Sequence, residues 1–382
     1  RDSDNKPIGT ISIKITSGNY FSGSIRGINE PSRLFKGRFN NDGRYYSSEA
    51  YDVNGLLSIA YMRFIRDTKN NLSIGGVLRA PDGSRQLFNL AAKYYNAAWR
   101  KPTRFLDPLY PKNKARFTYL APSESTDLLS IPSGDAVGYG TIESWGAVKL
   151  MGYSNAGYKY SYYGPLQNGN QTGYWDVENQ RWQTIAGNYA STPFYVETYS
   201  GTKKIEWMLG TIRYDVSGGE ALVDGNIRYV KPVDSNYLYP AGFDQDLVME
   251  GSRYRQAGYA GIPAMGFEVF ANNAVGLFEG SLPNNTEFSP YIFSWESNGA
   301  MKVPLNFTYF KQGSFKNWGG FYTGQYVDNT IGQTAWIRGV VLQNKGIVSG
   351  SATSWSGRGV VRHSIIPNDT GEVAPSASIS PT

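Results

Sequence analysis

Glutamates are the side chains with which this sequence could perform acid–base chemistry. Hydrolysis of a glycosidic bond needs two carboxyl groups, one acting as the acid and the other as the base or nucleophile. The sequence has 31 acidic residues. Five glutamates in strand-like segments are the candidates for such a pair, namely Glu143, Glu197, Glu206, Glu268 and Glu296. The alternative is that these carboxylates line polar strand faces, and we predict that the protein is not an enzyme.

Other catalytic and metal chemistry is restricted by composition. The sequence has no cysteine and a single histidine, His363, so thiol chemistry and zinc-thiolate sites are impossible. A histidine-based triad or metal centre would depend on His363 alone, and we expect this residue to be structural. Two acidic clusters, Asp2–Asn5 and Asp244–Asp246, could hold calcium, but neither has the full loop pattern of an EF-hand, and we favour ordinary turn chemistry. We therefore predict no metal and no cofactor.

Positive charge is spread thinly over the chain. The formal net charge of +6 over 382 residues is too weak a field to indicate nucleic-acid binding. One basic cluster could meet an acidic polysaccharide, a lipid head group or a neighbouring subunit, or could be a solvated loop interrupted by prolines. It consists of Arg100, Lys101, Arg104, Lys112, Lys114 and Arg116.

Aromatic side chains make up 15% of the chain. Adjacent pairs such as Tyr45–Tyr46 and Tyr162–Tyr163 cannot place both rings on one face of a strand, so one ring of each pair must point outward. Outward rings bind either sugars or other proteins. The predicted aromatic contact residues are Trp175, Trp182, Trp318 and Trp355.

Alternation of apolar and polar residues predicts that β-strands position these side chains. Ile11, Ile13 and Ile15 alternate with polar neighbours, and turn sequences such as Asp224–Gly225 separate similar segments. We predict an all-β fold, an antiparallel meander of about twenty strands that is closed or nearly closed as barrels or a sandwich. Residues 87–98 fit a helix or a strand, and we favour a strand because strands surround them.

Glycine-containing hairpins recur along the chain, for example in 16–39, 141–152 and 311–342. A glycine inside a strand costs roughly 0.5–1 kcal/mol relative to alanine. Repeated use of it therefore indicates a bend, a bulge or room for a facing aromatic ring. The repeats divide the chain into meander units 1–120, 121–240 and 241–370, followed by a Pro/Ser-rich tail, 371–382, although one continuous domain is an alternative.

Several motifs occur in an order that resembles a family of large, repeat-bearing secreted proteins of Verrucomicrobia and related bacteria. The segment Pro132–Gly152 is similar to their "P-x-G-D-G-Y-G-T…G-x-V-x-L-x-G" block, and Thr192–Tyr199 to "P-L-Y-V-P-L-Y". Tyr239–Tyr254 and Phe315–Ser349 resemble the later blocks, so the resemblance covers nearly the whole chain. It implies an extracellular, β-rich surface protein, and the family has no established chemistry to transfer.

The two ends of the chain predict how copies could associate. The first strand begins almost at the first residue and carries Ile11, Ile13 and Ile15, while the tail carries Val373, Pro375 and Ile379. An extended tail laid along a neighbour's open strand edge is a known mode of assembly, although the tail could equally cross its own barrel.

These observations favour a non-enzymatic, extracellular structural protein, a self-assembling subunit of a surface fibre or sheath. Its predicted partners are identical subunits. A carbohydrate-binding adhesion module is the second hypothesis, and a glycan-active enzyme is the third. We expect no nucleic-acid partner. We also expect no transmembrane segment, because the sequence lacks an apolar run of about 18 residues.

Overall fold

The chain is built from antiparallel β-strands in a computed structural model. The structure describes residues 7–16, 18–28, 30–46, 58–66, 72–79, 85–91, 115–123, 130–143, 146–168, 173–176, 181–184, 189–215, 222–234, 239–254, 274–279, 291–295, 301–302, 310–316, 320–328, 332–345, 347–354 and 359–367. These residues form 26 strands and no helix, so none of them belongs to a helix that could cross a membrane. The predicted all-β antiparallel fold is confirmed.

The N-terminal meander contains the first seven strands, which form two sheets, and within each sheet the strands pair in chain order. Its three-stranded sheet contains β1 (Gly9–Ile15), β2 (Tyr20–Gly27) and β3 (Arg33–Arg38). Its four-stranded sheet contains β4 (Arg44–Tyr46), β5 (Ser58–Arg66), β6 (Leu72–Arg79) and β7 (Arg85–Ala91). The two sheets share one apolar core around Phe21, Phe39 and Met62. Strand β7 confirms the strand interpretation for the start of the ambiguous segment.

The central sheet has nine strands in the order β11-β10-β9-β8-β18-β17-β16-β15-β12. In chain order these are β8 (Ala115–Ala121), β9 (Ala136–Ile142), β10 (Ala147–Tyr153), β11 (Lys159–Pro165), β12 (Gln167–Asn168), β15 (Tyr189–Ser200), β16 (Lys203–Asp215), β17 (Leu222–Lys231) and β18 (Phe243–Arg253). A separate hairpin of β13 (Gly173–Asp176) and β14 (Arg181–Thr184) leaves the sheet between β12 and β15.

This sheet curls into a nearly closed barrel. Strands β11 and β12 are consecutive pieces of one segment, and they pair with β10 and β15, the two opposite ends of the remaining sheet. The seam is held by side chains as well, because the Tyr162 hydroxyl lies 3.1 Å from Thr192 Oγ1, and Thr192 donates to the Pro165 carbonyl at 2.8 Å. Closure removes the exposed strand edges that an open sheet would leave.

Aromatic side chains fill the barrel by lying over glycines on the neighbouring strand. Tyr119 is opposite Gly138, Phe117 is opposite Gly140, and a Cβ atom on either glycine would overlap the facing ring. The Tyr119 and Tyr160 hydroxyls are 2.9 Å apart in the same core. Small barrels are filled by inward side chains, so glycine provides the volume that each ring occupies. The third reason proposed for strand glycines, room for a ring, is confirmed here.

The last eight strands form the C-terminal sheet, in the order β21-β20-β19-β26-β25-β24-β23-β22. They are β19 (Ala274–Glu279), β20 (Tyr291–Trp295), β21 (Met301–Lys302), β22 (Phe310–Lys316), β23 (Phe321–Asp328), β24 (Gln333–Leu342), β25 (Ile347–Ser354) and β26 (Val360–Pro367). The packing of a ring over a glycine recurs in this sheet, where Gly339 lies opposite Tyr322 and under its ring.

The C-terminal sheet packs on the outer wall of the barrel. An apolar contact joins Val137 and Leu120 of the barrel to Phe321 and Val340 of the sheet. Beside it, Arg362 donates from Nε to the Asp135 carboxylate at 3.0 Å. Burial raises the pKa of Asp135, although hydrogen bonds from Ser349 and Arg362 oppose that shift. Asp135 is therefore a buried carboxylate that Ser349 and Arg362 hold in this interface.

The N-terminal meander rests on another part of the barrel wall. Ile28 packs on an outward apolar patch of Tyr195, Trp207 and Leu209. The Tyr195 hydroxyl oxygen lies 3.2 Å from the Gly27 carbonyl oxygen. Arg228 donates to the Pro7 carbonyl at 3.0 Å, which fixes the start of the meander against β17.

The three groups of paired strands do not follow the predicted unit boundaries. Residue 120 lies inside β8, and β8 pairs with β9 and β18 of the barrel. Strand β18 follows residue 240 and also belongs to the barrel. The difference arises because β8 and β18 are distant in sequence, so no local pattern indicates that they are neighbours.

Candidate functional site

The free edge of β1 is a sheet edge of the described structure to which another chain could pair. Strand β1 pairs with β2 and with no second described strand. Ile28 N–H donates to the Ile8 carbonyl and Thr16 N–H to the Tyr20 carbonyl, so the even-numbered residues of β1 form the hydrogen-bonded pairs. In an antiparallel pair the residues between them direct N–H and C=O away from the partner. Ile11, Ile13 and Ile15 therefore direct their backbone groups toward the open edge.

The side chains of these three isoleucines face a different way from their backbone groups. Those of Ile11 and Ile13 pack on the meander core, whereas Ile15 is 39% exposed. The start of β1 is held against the barrel through Pro7, and its far end at Ile15 extends away from that contact. The β1 edge is therefore anchored at its Pro7 end and accessible to another chain at its Ile15 end.

The structure describes only two of the remaining predicted contact residues. Trp175 and Trp182 are directly opposite each other in the β13–β14 hairpin. Trp318, Trp355 and the tail residues Val373, Pro375 and Ile379 lie outside the described residues.

Among the candidate carboxylates, Glu206 is buried at one end of the barrel interior. It accepts hydrogen bonds from the Tyr229 hydroxyl at 2.7 Å, Ser154 Oγ at 2.8 Å and Thr198 Oγ1 at 3.0 Å. Burial raises the pKa of Glu206 to about 7, against the opposing effect of these donors and of the Lys231 charge. The network satisfies a carboxyl group that would otherwise be costly to bury.

Glu197 lies on the opposite side of the same barrel wall. It accepts from Tyr195, Tyr199 and Lys204, the last at 2.8 Å. Burial acts to raise the pKa of Glu197, but the bonds from Lys204, Tyr199 and Tyr195 outweigh it and lower the pKa below its usual value. The two carboxylates thus have opposite pKa shifts because one is enclosed and the other is held by a cation.

The three described candidates, Glu143, Glu197 and Glu206, belong to separate networks of contacts. Glu197 lies opposite Trp207 on the outer face of the barrel, whereas Glu206 faces the interior. Glu143 belongs to a third network, with Lys149 at 3.3 Å. The other two candidates, Glu268 and Glu296, lie outside the described residues.

The predicted calcium cluster on β18 is occupied by protein contacts. Asp244 and Asp246 face outward, and the Asp244 carboxylate accepts two bonds from Arg228, at 2.9 Å and 2.6 Å. Across the part of the chain that the structure describes, no three acidic or histidine side chains are grouped as metal ligands would be. Asp2 and Asp4 lie outside that part, as does the predicted basic cluster apart from Arg116.

His363 lies in the core of the C-terminal sheet. Its Nδ1 is 3.1 Å from the Tyr322 hydroxyl, and its ring packs against Phe278. Burial lowers the pKa of His363 to about 3, so the imidazole is neutral at physiological pH. These contacts support the structural role expected for it.

The adjacent tyrosines divide between the two faces of a strand, as predicted. Tyr162 packs on Phe194 at the barrel core, whereas Tyr163 is 62% exposed. Lys149 lies 6.0 Å from the centre of the Tyr163 ring. One ring of this pair is therefore available to solvent.

Sequence reasoning missed a set of polar and basic side chains that the meander collects on one face. Lys14 and Lys36 lie on either side of Ser22 in three adjacent strands. The alternation around Ile13 already indicated that Lys14 faces away from the core. It could not indicate that Lys36 lies in the same row, because that depends on the register of two hairpins.

No family model matches the sequence. No curated protein is significantly similar to it. The resemblance to secreted, repeat-bearing bacterial proteins therefore stays a prediction.

Proposed function

We propose that this protein is a non-catalytic structural protein of an extracellular assembly, in which copies of the chain associate through strand edges. The observation that carries the proposal is the open edge of β1, where Ile11, Ile13 and Ile15 direct backbone donors and acceptors outward. An unpaired edge of this kind is a template for another strand. Identical subunits are the proposed partner.

Anchoring of the meander supports this proposal. Contacts of Ile28, Tyr195 and Pro7 hold the meander on the barrel, so β1 is presented on a rigid body. A rigid edge loses less conformational entropy on pairing than a segment that must first be ordered. A contact between the β1 edge of one copy and a different segment of the next is heterologous, and repetition of such a contact gives a filament.

The tail is the proposed source of the incoming strand. Val373, Pro375 and Ile379 give residues 371–382 the composition of an extended segment, and strand addition needs no more than an extended chain with alternating apolar side chains. The extracellular location rests on the resemblance described above.

Ile15→Pro tests the role of the edge. Proline removes an outward N–H while leaving the inward ladder to β2 intact, and proline is tolerated in edge strands. Ile15→Val is the matched control, because it keeps the donor. We expect concentration-dependent polymers of the unchanged chain and of Ile15→Val, and smaller species of Ile15→Pro, measured by light scattering and electron microscopy.

A second variant keeps the test decisive if Ile15→Pro folds poorly, which circular dichroism would reveal. Deletion of 372–382 leaves every described strand intact and should reduce polymer length to a similar extent. Monomers of the unchanged chain at all concentrations would contradict the proposal. So would polymers of both variants that match the unchanged chain.

A further inference from the structure

The outer face of the three-stranded sheet carries a regular set of basic and hydroxyl side chains, which we call the basic face. Cross-strand register arranges it in three rows. The rows are Thr16, Tyr20 and Arg38, then Lys14, Ser22 and Lys36, then Ser12, Ser24 and Leu34. These side chains point away from the meander core, because the intervening residues Ile13, Phe21 and Phe35 pack into or against it. The basic face is separate from the backbone edge proposed for assembly.

A groove runs over this face. Its volume is about 740 Å³, and it is lined by side chains of the second and third rows and by the backbone between them. Ser12 Oγ and Ser24 Oγ are 2.9 Å apart on the groove wall, so the two hydroxyls already form one polar pair. The groove is therefore open and spans three strands, and its lining combines serine hydroxyls and lysines with a larger share of apolar surface.

Positive charge in the groove is not neutralised by the described part of the molecule. Lys14 and Lys36 are two strand spacings apart, roughly 9–10 Å, and neither forms an ion pair with a described residue. The described acidic residues of the meander are Glu30, which lies beside Gly27, and Asp42, which pairs with Arg44 at 3.6 Å. Neither belongs to the three rows. Two ammonium groups that no described carboxylate neutralises attract an anionic ligand.

Apolar surface lies next to these charges. Leu34 is 88% exposed and Tyr20 is 54% exposed. The Arg38 guanidinium lies 5.0 Å from the centre of the Tyr20 ring and donates to the Gly18 carbonyl at 3.2 Å, which holds both side chains in place. A fixed, exposed ring is the kind of surface on which the apolar face of a sugar stacks.

We propose that the basic face binds an acidic polysaccharide. Lys14 and Lys36 contact its carboxylate or sulfate groups, the Ser12–Ser24 pair exchanges hydrogen bonds with sugar hydroxyls, and Tyr20 and Leu34 contact apolar sugar faces. Serines separate the cations, so the charge is sparse, whereas duplex DNA carries a negative charge about every 1.7 Å. Spaced charges between hydroxyls fit a polysaccharide better than a nucleic acid. This inference goes beyond the proposed assembly and does not depend on it.

Removal of the two lysine charges is the first test. The double variant Lys14→Gln/Lys36→Gln is compared with Arg63→Gln/Lys159→Gln, which removes two exposed cations outside the basic face. Binding to polygalacturonate, heparin and neutral dextran is measured by calorimetry at low protein concentration, where assembly is minimal. We expect the first double variant to bind the two acidic polysaccharides about tenfold more weakly. The control pair should bind as the unchanged protein does, and dextran should not bind.

Tyr20→Ala distinguishes polysaccharide binding from simple attraction of anions. It should weaken binding to polygalacturonate or heparin severalfold and leave binding to inorganic polyphosphate unchanged, because polyphosphate offers no sugar face. Equal losses in the two double variants would overturn the proposal. Binding to duplex DNA as tight as that to heparin, with no effect of Tyr20→Ala, would also overturn it and would indicate non-specific attraction of polyanions.

Discussion

The central barrel and the N-terminal meander share a sequence pattern, but the barrel sheet closes and the meander sheet does not. Both alternate apolar and polar residues, and both place aromatic rings over glycines, as Tyr119 does over Gly138 and Phe21 over Gly37. In the barrel, one segment pairs with both ends of the sheet, and Tyr162 and Thr192 hold the seam. In the described part of the meander, β1 keeps a free edge.

This difference indicates that one region of the chain supplies stability and another offers groups for interaction. The closed barrel pairs its strands with one another and packs on its neighbours through side chains, with Tyr195 and Trp207 on one part of its wall and Val137 on another. The open meander retains unpaired backbone groups and a basic face. Alternation and glycine placement are common to both regions, so the closing segment β11–β12 is what distinguishes them.

Truncation of a barrel ring should have the largest effect on stability. Tyr119 is fully buried, and Tyr119→Ala would leave a cavity beneath Gly138 and deprive the Tyr160 hydroxyl of its partner. We expect a loss of about 3–5 kcal/mol in the free energy of unfolding, measured by urea denaturation. Tyr163→Ala is the control, with an expected change within about 0.5 kcal/mol because that ring is exposed. Similar losses in the two variants would show that ring burial in the barrel is not what stabilises it.

The pH dependence of stability tests the burial of Glu206 in the barrel interior, and Glu197 on the outer wall provides the comparison. Burial raises its pKa from 4.5 to about 7, so the folded state holds a proton that the unfolded state releases. The associated stability is complete below pH 4.5 and is lost as the pH rises through 7. Between about pH 5 and pH 8 the unchanged protein should lose roughly 2–3 kcal/mol relative to Glu206→Gln, whose side chain is neutral throughout.

Glu197 provides the opposite case for the same measurement. Its pKa is lowered in the folded state, so its contribution is present above the unfolded pKa and is lost as the pH falls through the lower, folded value. Glu197→Gln should therefore reduce stability at neutral pH and have less effect in acid. If the unchanged protein and Glu206→Gln respond identically to pH, then Glu206 is ionised in the folded state, and the account of its burial is wrong.

The fold class and the candidate edge strand with Ile11, Ile13 and Ile15 were accessible from the sequence, whereas the Glu206 network and the basic face were not. Alternation around Ile13 and the glycine-bearing hairpins are local patterns, and they sufficed to predict an antiparallel all-β chain. The pairing of β8 with β18 joins residues about 130 positions apart, and no local pattern encodes it. The Glu206 network and the row from Lys14 to Lys36 both depend on such register. Sequence placed each of these residues in a strand, but only the paired strands bring them together.

The glycine–ring contact itself should be less costly to disturb in the open meander than in the closed barrel. A Cβ atom at Gly138 would overlap Tyr119, and one at Gly37 would overlap Phe21 and Tyr45. Gly138→Ala should destabilise the protein by about 1–3 kcal/mol, because a closed, filled barrel cannot expand locally. Gly37→Ala should cost less, because a sheet with a free edge can shift its strands to accommodate the methyl group.

Urea denaturation of both variants measures that difference, and Gly27→Ala is the control, since its Cβ would meet only the Glu30 side chain. Combination of Gly138→Ala with Tyr119→Leu should restore part of the lost stability, because the smaller side chain frees the volume that the methyl group needs. If Gly37→Ala costs as much as Gly138→Ala, the packing of rings over glycine is equally rigid in both regions. Closure would then not explain why one region is rigid and the other is open to partners.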